Sequence, residues 1–133
     1  KNKILVISHI GALPQHFKDF SKIRLIGKTT KQKIDMLDLA HQLEEAGSSL
    51  LVLECIEREL AKKITQSISI PTIGIGSSIN CDGQILVIND ILNTDDTFKK
   101  PKFVKTYANF SYYLNKAVKC YDTEVKNRKF PKK

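Results

Sequence analysis

Four short apolar runs, Ile4-Leu5-Val6-Ile7, Leu50-Leu51-Val52-Leu53, Thr72-Ile73-Gly74-Ile75 and Ile85-Leu86-Val87-Ile88, are continuous and do not alternate with polar residues. A strand with one wet face alternates, whereas a continuous run needs cover on both faces, as in a parallel sheet clothed by helices. The segments between the first three runs carry the helical period. From Thr30 to Ala46 the apolar positions Met36, Leu39, Ala40, Leu43 and Ala46 recur at spacings of three and four, and Gly47 follows as a C-terminal stop. Between Glu57 and Ile68, Leu60, Ile64 and Ile68 form a narrower stripe, and Pro71 prevents its continuation into the next run. The order strand, helix, strand, helix, strand predicts βαβ units and a parallel sheet.

The link between the last two runs resists that pattern. Only Gly76 to Gln84 separates them, and a parallel crossover normally takes about a dozen residues or more. Asp82-Gly83 is also a good hairpin turn, so local physics slightly prefers an antiparallel pair there. Beyond Asp96 the pattern is helical: Phe103, Tyr107, Phe110, Leu114, Ala117, Tyr121 and Val125 predict one long apolar face, with Pro101 near its start. Lys and Asn occupy the other side, so the aromatic stripe reads as core packing and not as a base-stacking surface.

With 133 residues the chain suits one domain but is too short for a complete eight-stranded α/β barrel, for which roughly 200 residues is a lower limit. A composition of 41% hydrophobic and 27% charged residues is that of a soluble globular protein. No apolar run approaches the ~18 residues of a membrane helix, which excludes such a span. The opening Lys1-Asn2-Lys3 precedes only a short apolar run and then Ser8-His9, without the core or cleavage site of a signal peptide, so the compartment reads as cytoplasmic. Cys55, Cys81 and Cys120 are scattered and contain no C-x-x-C pair, against both a disulfide framework and a thiol-rich zinc site. The net charge of +8 comes mostly from Lys spread along the chain among 14 acids. Only Lys126 to Lys133 is a true basic cluster, and it reads as a solvated end. No nucleic-acid partner is expected, although a positive field favours small anionic substrates.

Glu54 stands where the second run closes, just before a helical segment. In parallel α/β proteins the carboxyl ends of the strands face the ligand site, and an ionised Glu is expensive to bury without a partner. It is the leading candidate for chemistry, set against a strand-end carboxylate paired with a neighbouring Lys. His9 ends the first run as Glu54 ends the second, which points both at one rim. Gly74 and Gly76 permit close backbone approach after the third run, with Ser77, Ser78 and Asn80 as small donors. Asp82 and Asp90 flank the fourth run; either could face a metal, but no His or carboxylate cluster completes a ligand set on this chain.

Several motifs in order match one family. Ser8-His9-Ile10-Gly11-Ala12-Leu13-Pro14-Gln15, Leu51-Val52-Leu53-Glu54-Cys55, Glu59-Leu60-Ala61, Ile64-Thr65, Ser69 to Gly76, Cys81-Asp82-Gly83-Gln84, Pro101 to Lys105 and Tyr107 resemble ketopantoate hydroxymethyltransferase over nearly the whole chain. The resemblance implies a (β/α)8 TIM barrel of the phosphoenolpyruvate/pyruvate type. This chain is then its C-terminal half, with strands five to eight in residues 1–98 and a C-terminal helical segment, 99–133, packing on it. It also implies that the short link joins parallel strands seven and eight. In that family Mg2+ holds 2-oxoisovalerate, a carboxylate removes the proton next to the carbonyl, and the enolate takes a one-carbon unit from 5,10-methylenetetrahydrofolate. Glu54 aligns with the family's proton acceptor and His9 with a histidine lining the substrate pocket. Ser8 stands where the family commonly has Gly, and Asn89 where a His usually precedes Asp90. The family's magnesium ligands belong to the N-terminal half of the barrel, which has no counterpart here, so the chain alone is expected to be inactive. A homo-oligomer is also implied. The competing reading is a half-barrel remnant or assembly module that has lost the reaction.

Overall fold

The computed structural model describes residues 4–13, 24–95, 97 and 100–132. Its elements run β1 (Ile7–Gly11), α1 (Thr30–Glu45), β2 (Leu50–Glu54), α2 (Arg58–Ser67), β3 (Thr72–Ile75), β4 (Gly83–Gln84), α3 (Ile88–Leu92) and α4 (Phe110–Lys126). They divide into two compact units, Lys1–Ile85 and Leu86–Lys133.

In the first unit all neighbouring strands are parallel and the sheet order is β1-β2-β3-β4. A doubly wound sheet reverses its order at a switch point. Here each strand is laid beside its predecessor in one direction, the winding of a partial α/β barrel. The helices end where local chemistry dictates. Thr29 and Gln32 form a reciprocal capping box at the start of α1. At its end Gly47 N donates to Glu44 O and Ser48 N to Leu43 O, with Gly47 in the left-handed region that a helix-terminating glycine supplies. Glu57 caps α2, its carboxylate accepting from Glu59 N and Leu60 N.

The short link joins parallel strands, so the hairpin preference of Asp82-Gly83 is overruled. The register explains how so few residues suffice. Gly83 pairs with Ile73 and Gln84 with Gly74, so the returning chain drops only about two residues below the end of β3 and not a full strand. Asp82 fastens the return: its Oδ2 accepts from Thr72 N at 2.8 Å and from Thr72 Oγ1 at 3.0 Å. Gln84 Nε2 donates to Ser78 O at 2.8 Å across the same loop.

The core lies on one face of the sheet. Ile10, Leu51 and Leu53 join Ala40 of α1 and Leu60, Ala61 and Ile64 of α2 in a buried cluster, each larger side chain contributing about 1.5–3 kcal/mol. The opposite face carries Ile7, His9, Val52, Glu54, Ile73 and Ile75, since residues in register project together and side chains alternate along a strand. Of these only Glu54 is buried. Continuous apolar runs predicted cover on both faces; the described residues of the first unit cover one.

Three sequence expectations are corrected. The first strand is Ile7–Gly11 and not Ile4 to Ile7, and Ile4 and Leu5 are 75% and 81% exposed. Ile85 to Ile88 is not a strand: pairing stops at Gln84, and Ile88 opens α3. Its β-branched residues resemble a strand, but Val87 O accepts from Asp90 N and Ile91 N and turns the chain into a helix. The last helix starts at Phe110, where Asn109 caps it, so Phe103 and Tyr107 lie outside it. Its stripe is not core: Phe110, Leu114, Tyr121 and Val125 are exposed, and Ser111 is the buried residue of α4. Within the second unit, Tyr107 N and Ala108 N donate to Ile91 O, and Ser111 N donates to Asn93 O.

No helix among the described residues is long and apolar enough to cross a membrane.

Candidate functional site

β2 ends in a turn whose peptides are held from several sides. Glu54 is its last residue, and Cys55 follows with φ 52, a left-handed conformation uncommon outside glycine that costs on the order of 1 kcal/mol. The surroundings maintain it. Ala12 N donates to Glu54 O at 2.9 Å, Cys55 N to Ile75 O at 2.9 Å, and Ile26 N to Cys55 O at 2.8 Å. Ser77 Oγ donates to Leu53 O at 2.7 Å and accepts from Ile56 N at 3.0 Å, strapping the turn from the exit of β3.

The side chain of Glu54 meets His9. His9 Nε2 lies 3.1 Å from Glu54 Oε2, with the imidazole 33% and the carboxylate 10% exposed. Glu54 therefore has the partner its burial requires, an imidazole and not the neighbouring Lys weighed from sequence. His9 is mid-strand and not at the strand's end: it stands beside Val52, while Gly11 stands beside Glu54. The two side chains meet because they share a face and the carboxylate reaches diagonally back. Burial pushes the Glu54 carboxyl above its ordinary value, opposed by the charge of His9 and its hydrogen bond. Burial, and then the Glu54 charge, push the Cys55 thiol up to about 11. Cys55 is thus a protonated, inert thiol at neutral pH.

The remaining sequence candidates disperse. Ser8 projects to the opposite face from His9, where its hydroxyl bonds that of Ser48, so this departure from the family pattern does not touch the His9–Glu54 pair. Asn89 and Asp90 lie in α3 of the second unit. A Cβ on Gly74 would stand 3.1 Å from Cys81 Sγ and 3.0 Å from Gln84 Oε1, so that glycine makes room for the link and not for a ligand. Ser78 accepts from Asn80 within the same loop, and Asp82 is engaged with Thr72.

Gly11 was not singled out from sequence. Its φ is +105, and a Cβ there would stand 2.1 Å from Glu54 O. No strand signal covered it, because the apolar run that marked the first strand ends at Ile7, four residues earlier. The left-handed Cys55 left no trace either, because cysteine does not announce that conformation.

Among the described residues no three His, Cys, Asp or Glu side chains converge. Magnesium takes about six oxygen ligands in near-octahedral array, and one carboxylate already bonded to an imidazole does not make such a site. What the pair can do is proton transfer: a carboxylate with raised proton affinity, oriented by an imidazole, is a fitting general base.

The pH behaviour follows. Glu54 should titrate above 4.5, its ordinary value, and removing His9 by His9→Asn should move it further up, because His9 is what lowers it. For an acid whose folded pKa is raised, the linked stability is fully present below the unfolded pKa and is lost as pH rises through the folded one. Carbon-detected NMR of the Glu54 carboxyl checks both statements. A titration at or below 4.5, or a downward movement in His9→Asn, would contradict them.

The family model described as ketopantoate hydroxymethyltransferase matches residues 1–133. A Helicobacter pylori (strain Shi470) protein named 3-methyl-2-oxobutanoate hydroxymethyltransferase is 47% identical over 128 residues, 96% of this chain and 47% of that protein. Proteins of the same name from Buchnera aphidicola subsp. Schizaphis graminum and Clostridium botulinum are 48% and 47% identical, each over 98% of this chain and 49% and 47% of their own lengths. The chain thus spans about half the length of the curated relatives it matches.

Proposed function

The chain belongs to the ketopantoate hydroxymethyltransferase family, and from that premise we propose that it supplies the base-bearing half of an enzyme making ketopantoate from 2-oxoisovalerate and 5,10-methylenetetrahydrofolate. The carrying observation is the buried Glu54 at the carboxyl end of β2, bonded to His9. Glu54 takes the proton from C3 of the 2-oxo acid, the carbon beside the carbonyl. The electron pair of that C–H bond becomes the C2–C3 double bond of an enolate, whose C3 bonds the methylene carbon of the folate, while water supplies the hydroxyl oxygen and tetrahydrofolate leaves. His9 lines the substrate pocket and orients the carboxylate.

In this reading residues 1–98 provide strands five to eight of the barrel and residues 99–133 its C-terminal helical segment. An N-terminal half provides the rest. Two observations support a missing complement. Among the described residues β1 and β4 are edge strands with one unpaired side each, and Ile7, Val52, Ile73 and Ile75 form an apolar sheet face that the described residues of the first unit leave incompletely covered. The magnesium ligands are assigned to that other half, since the described residues of this chain do not fit the ion. The exposed stripe of α4 supports association of assembled barrels into a homo-oligomer. A cytoplasmic location suits such a biosynthetic enzyme.

The pure 133-residue chain is expected to form no ketopantoate, and co-expression with the N-terminal half of a relative's barrel is expected to restore it. Product formation by the chain alone, dependent on magnesium and methylenetetrahydrofolate, would refute the division between halves. A folded but inactive assembly would instead favour a remnant that has lost the reaction.

A further inference from the structure

A base that removes a proton from carbon brings its oxygen to within about 3–3.5 Å of that carbon. The other substituents of the carbon are then pressed against whatever flanks the base. On this sheet the flanks of Glu54 are set by register: Gly11 of β1 on one side and Ile75 of β3 on the other. Adjacent strands lie about 4.8 Å apart and residues in register project from the same face, so both flanks are close enough to matter. They differ in kind. Gly11 offers no side chain and admits none, for a Cβ there would collide with Glu54 O at 2.1 Å. Ile75 offers a branched alkyl group that is only partly buried, and Cys55 N bonds its carbonyl at 2.9 Å, which locks its backbone to the turn that carries the base.

Resting on the reading of Glu54 as the base for 2-oxoisovalerate, we infer that Ile75 is a specificity-determining residue whose side chain packs against the alkyl branches on C3 and limits their size. When the C3–H bond breaks, its electrons enter the C2–C3 bond, the carbonyl oxygen takes the charge and the proton goes to the Glu54 carboxylate. Ile75 exchanges nothing; it is the wall against which the two methyl groups rest while this happens. Ile73 lies on the same face in register with Val52, two residues before Ile75 along β3, and serves as the comparison.

The test is exchange of the C3 proton into deuterated solvent by the complete enzyme, this chain assembled with the N-terminal half of the barrel. It compares 2-oxoisovalerate with 2-oxo-3-methylpentanoate, which is one methylene longer. Ile75→Val and Ile75→Ala are expected to raise the relative kcat/KM for the longer acid roughly tenfold or more, the discrimination one methylene commands in an apolar pocket. Ile73→Val is expected to move that ratio less than twofold. Ile75→Val is small enough a change to keep the fold, which circular dichroism verifies, so loss of Ile75→Ala to misfolding would not remove the test. Wild-type exchange together with an unmoved ratio in Ile75→Val overturns the role of Ile75 and leaves the base intact. Exchange of neither acid by wild type overturns the reading of Glu54, and the inference with it.

Discussion

Glu54→Gln is expected to slow exchange of the 2-oxo acid's C3 proton by on the order of 10²-fold or more in the assembled barrel while leaving substrate binding nearly unchanged. The amide keeps the shape of the carboxylate and can still bond His9, but it has no basicity to receive a proton. The effect is large because no described side chain beside the carboxylate is placed to substitute. His9, the one described side chain bonded to the carboxylate, is already committed to orienting it, and the thiol of Cys55 is held protonated, pushed up to about 11. Proton exchange isolates this step from the folate chemistry that follows. A variant that exchanges at the wild-type rate would remove Glu54 from the base role, and one that no longer binds the acid would make its contribution one of affinity.

Gly11→Ala is expected to cost about 2–4 kcal/mol of stability and to displace Glu54. At φ +105 an alanine is strained whatever its surroundings, and its Cβ would stand 2.1 Å from Glu54 O and 2.9 Å from Ile56 Cγ1. The sum combines backbone strain of about 1–3 kcal/mol with about 1 kcal/mol for the bond from Ala12 N to Glu54 O, which cannot survive that approach. Gly47 provides the comparison. Its φ is +94 but a Cβ there would meet nothing within 4 Å, so Gly47→Ala should cost only about 1–2 kcal/mol. Urea unfolding of the two variants separates conformational strain from collision. Equal losses would mean that the sheet gives way at Gly11 and that the clamp on Glu54 is soft.

The uncovered face of the sheet joins the fold to the proposed division of labour. Val52, Ile73 and Ile75 are apolar where a solvent-facing strand would alternate to polar residues. An alternating sequence would have suited a finished half-barrel. The continuous one calls for cover that the described residues of this unit do not supply.

Composition, periodicity and turn chemistry determined which segments become strands and helices where those signals agree. Leu50 to Glu54, Thr72 to Ile75, and the helices around Leu39 and Leu60 stand where the apolar spacing puts them, because each answers to a local pattern reinforced by a stop at Gly47 or Pro71. The carboxylate at the end of β2 was legible for the same reason, since strand ends can be read from the run that precedes them. The tertiary structure decided what local signals leave degenerate. Ile4 to Ile7 and Ile85 to Ile88 are as β-prone as the true strands, yet pairing is set by register with β2 and β3, which starts β1 at Ile7 and stops β4 at Gln84. Asp82-Gly83 makes a good hairpin alone and a parallel return here, because the side chain of Asp82 bonds the start of β3. The α4 stripe has the period of a buried face and is exposed, because period states which residues share a face and not what lies against it. The approach of His9 to Glu54 depends on two residues 45 positions apart sharing one face of adjacent strands. That is a property of register, which exists only once the sheet has formed.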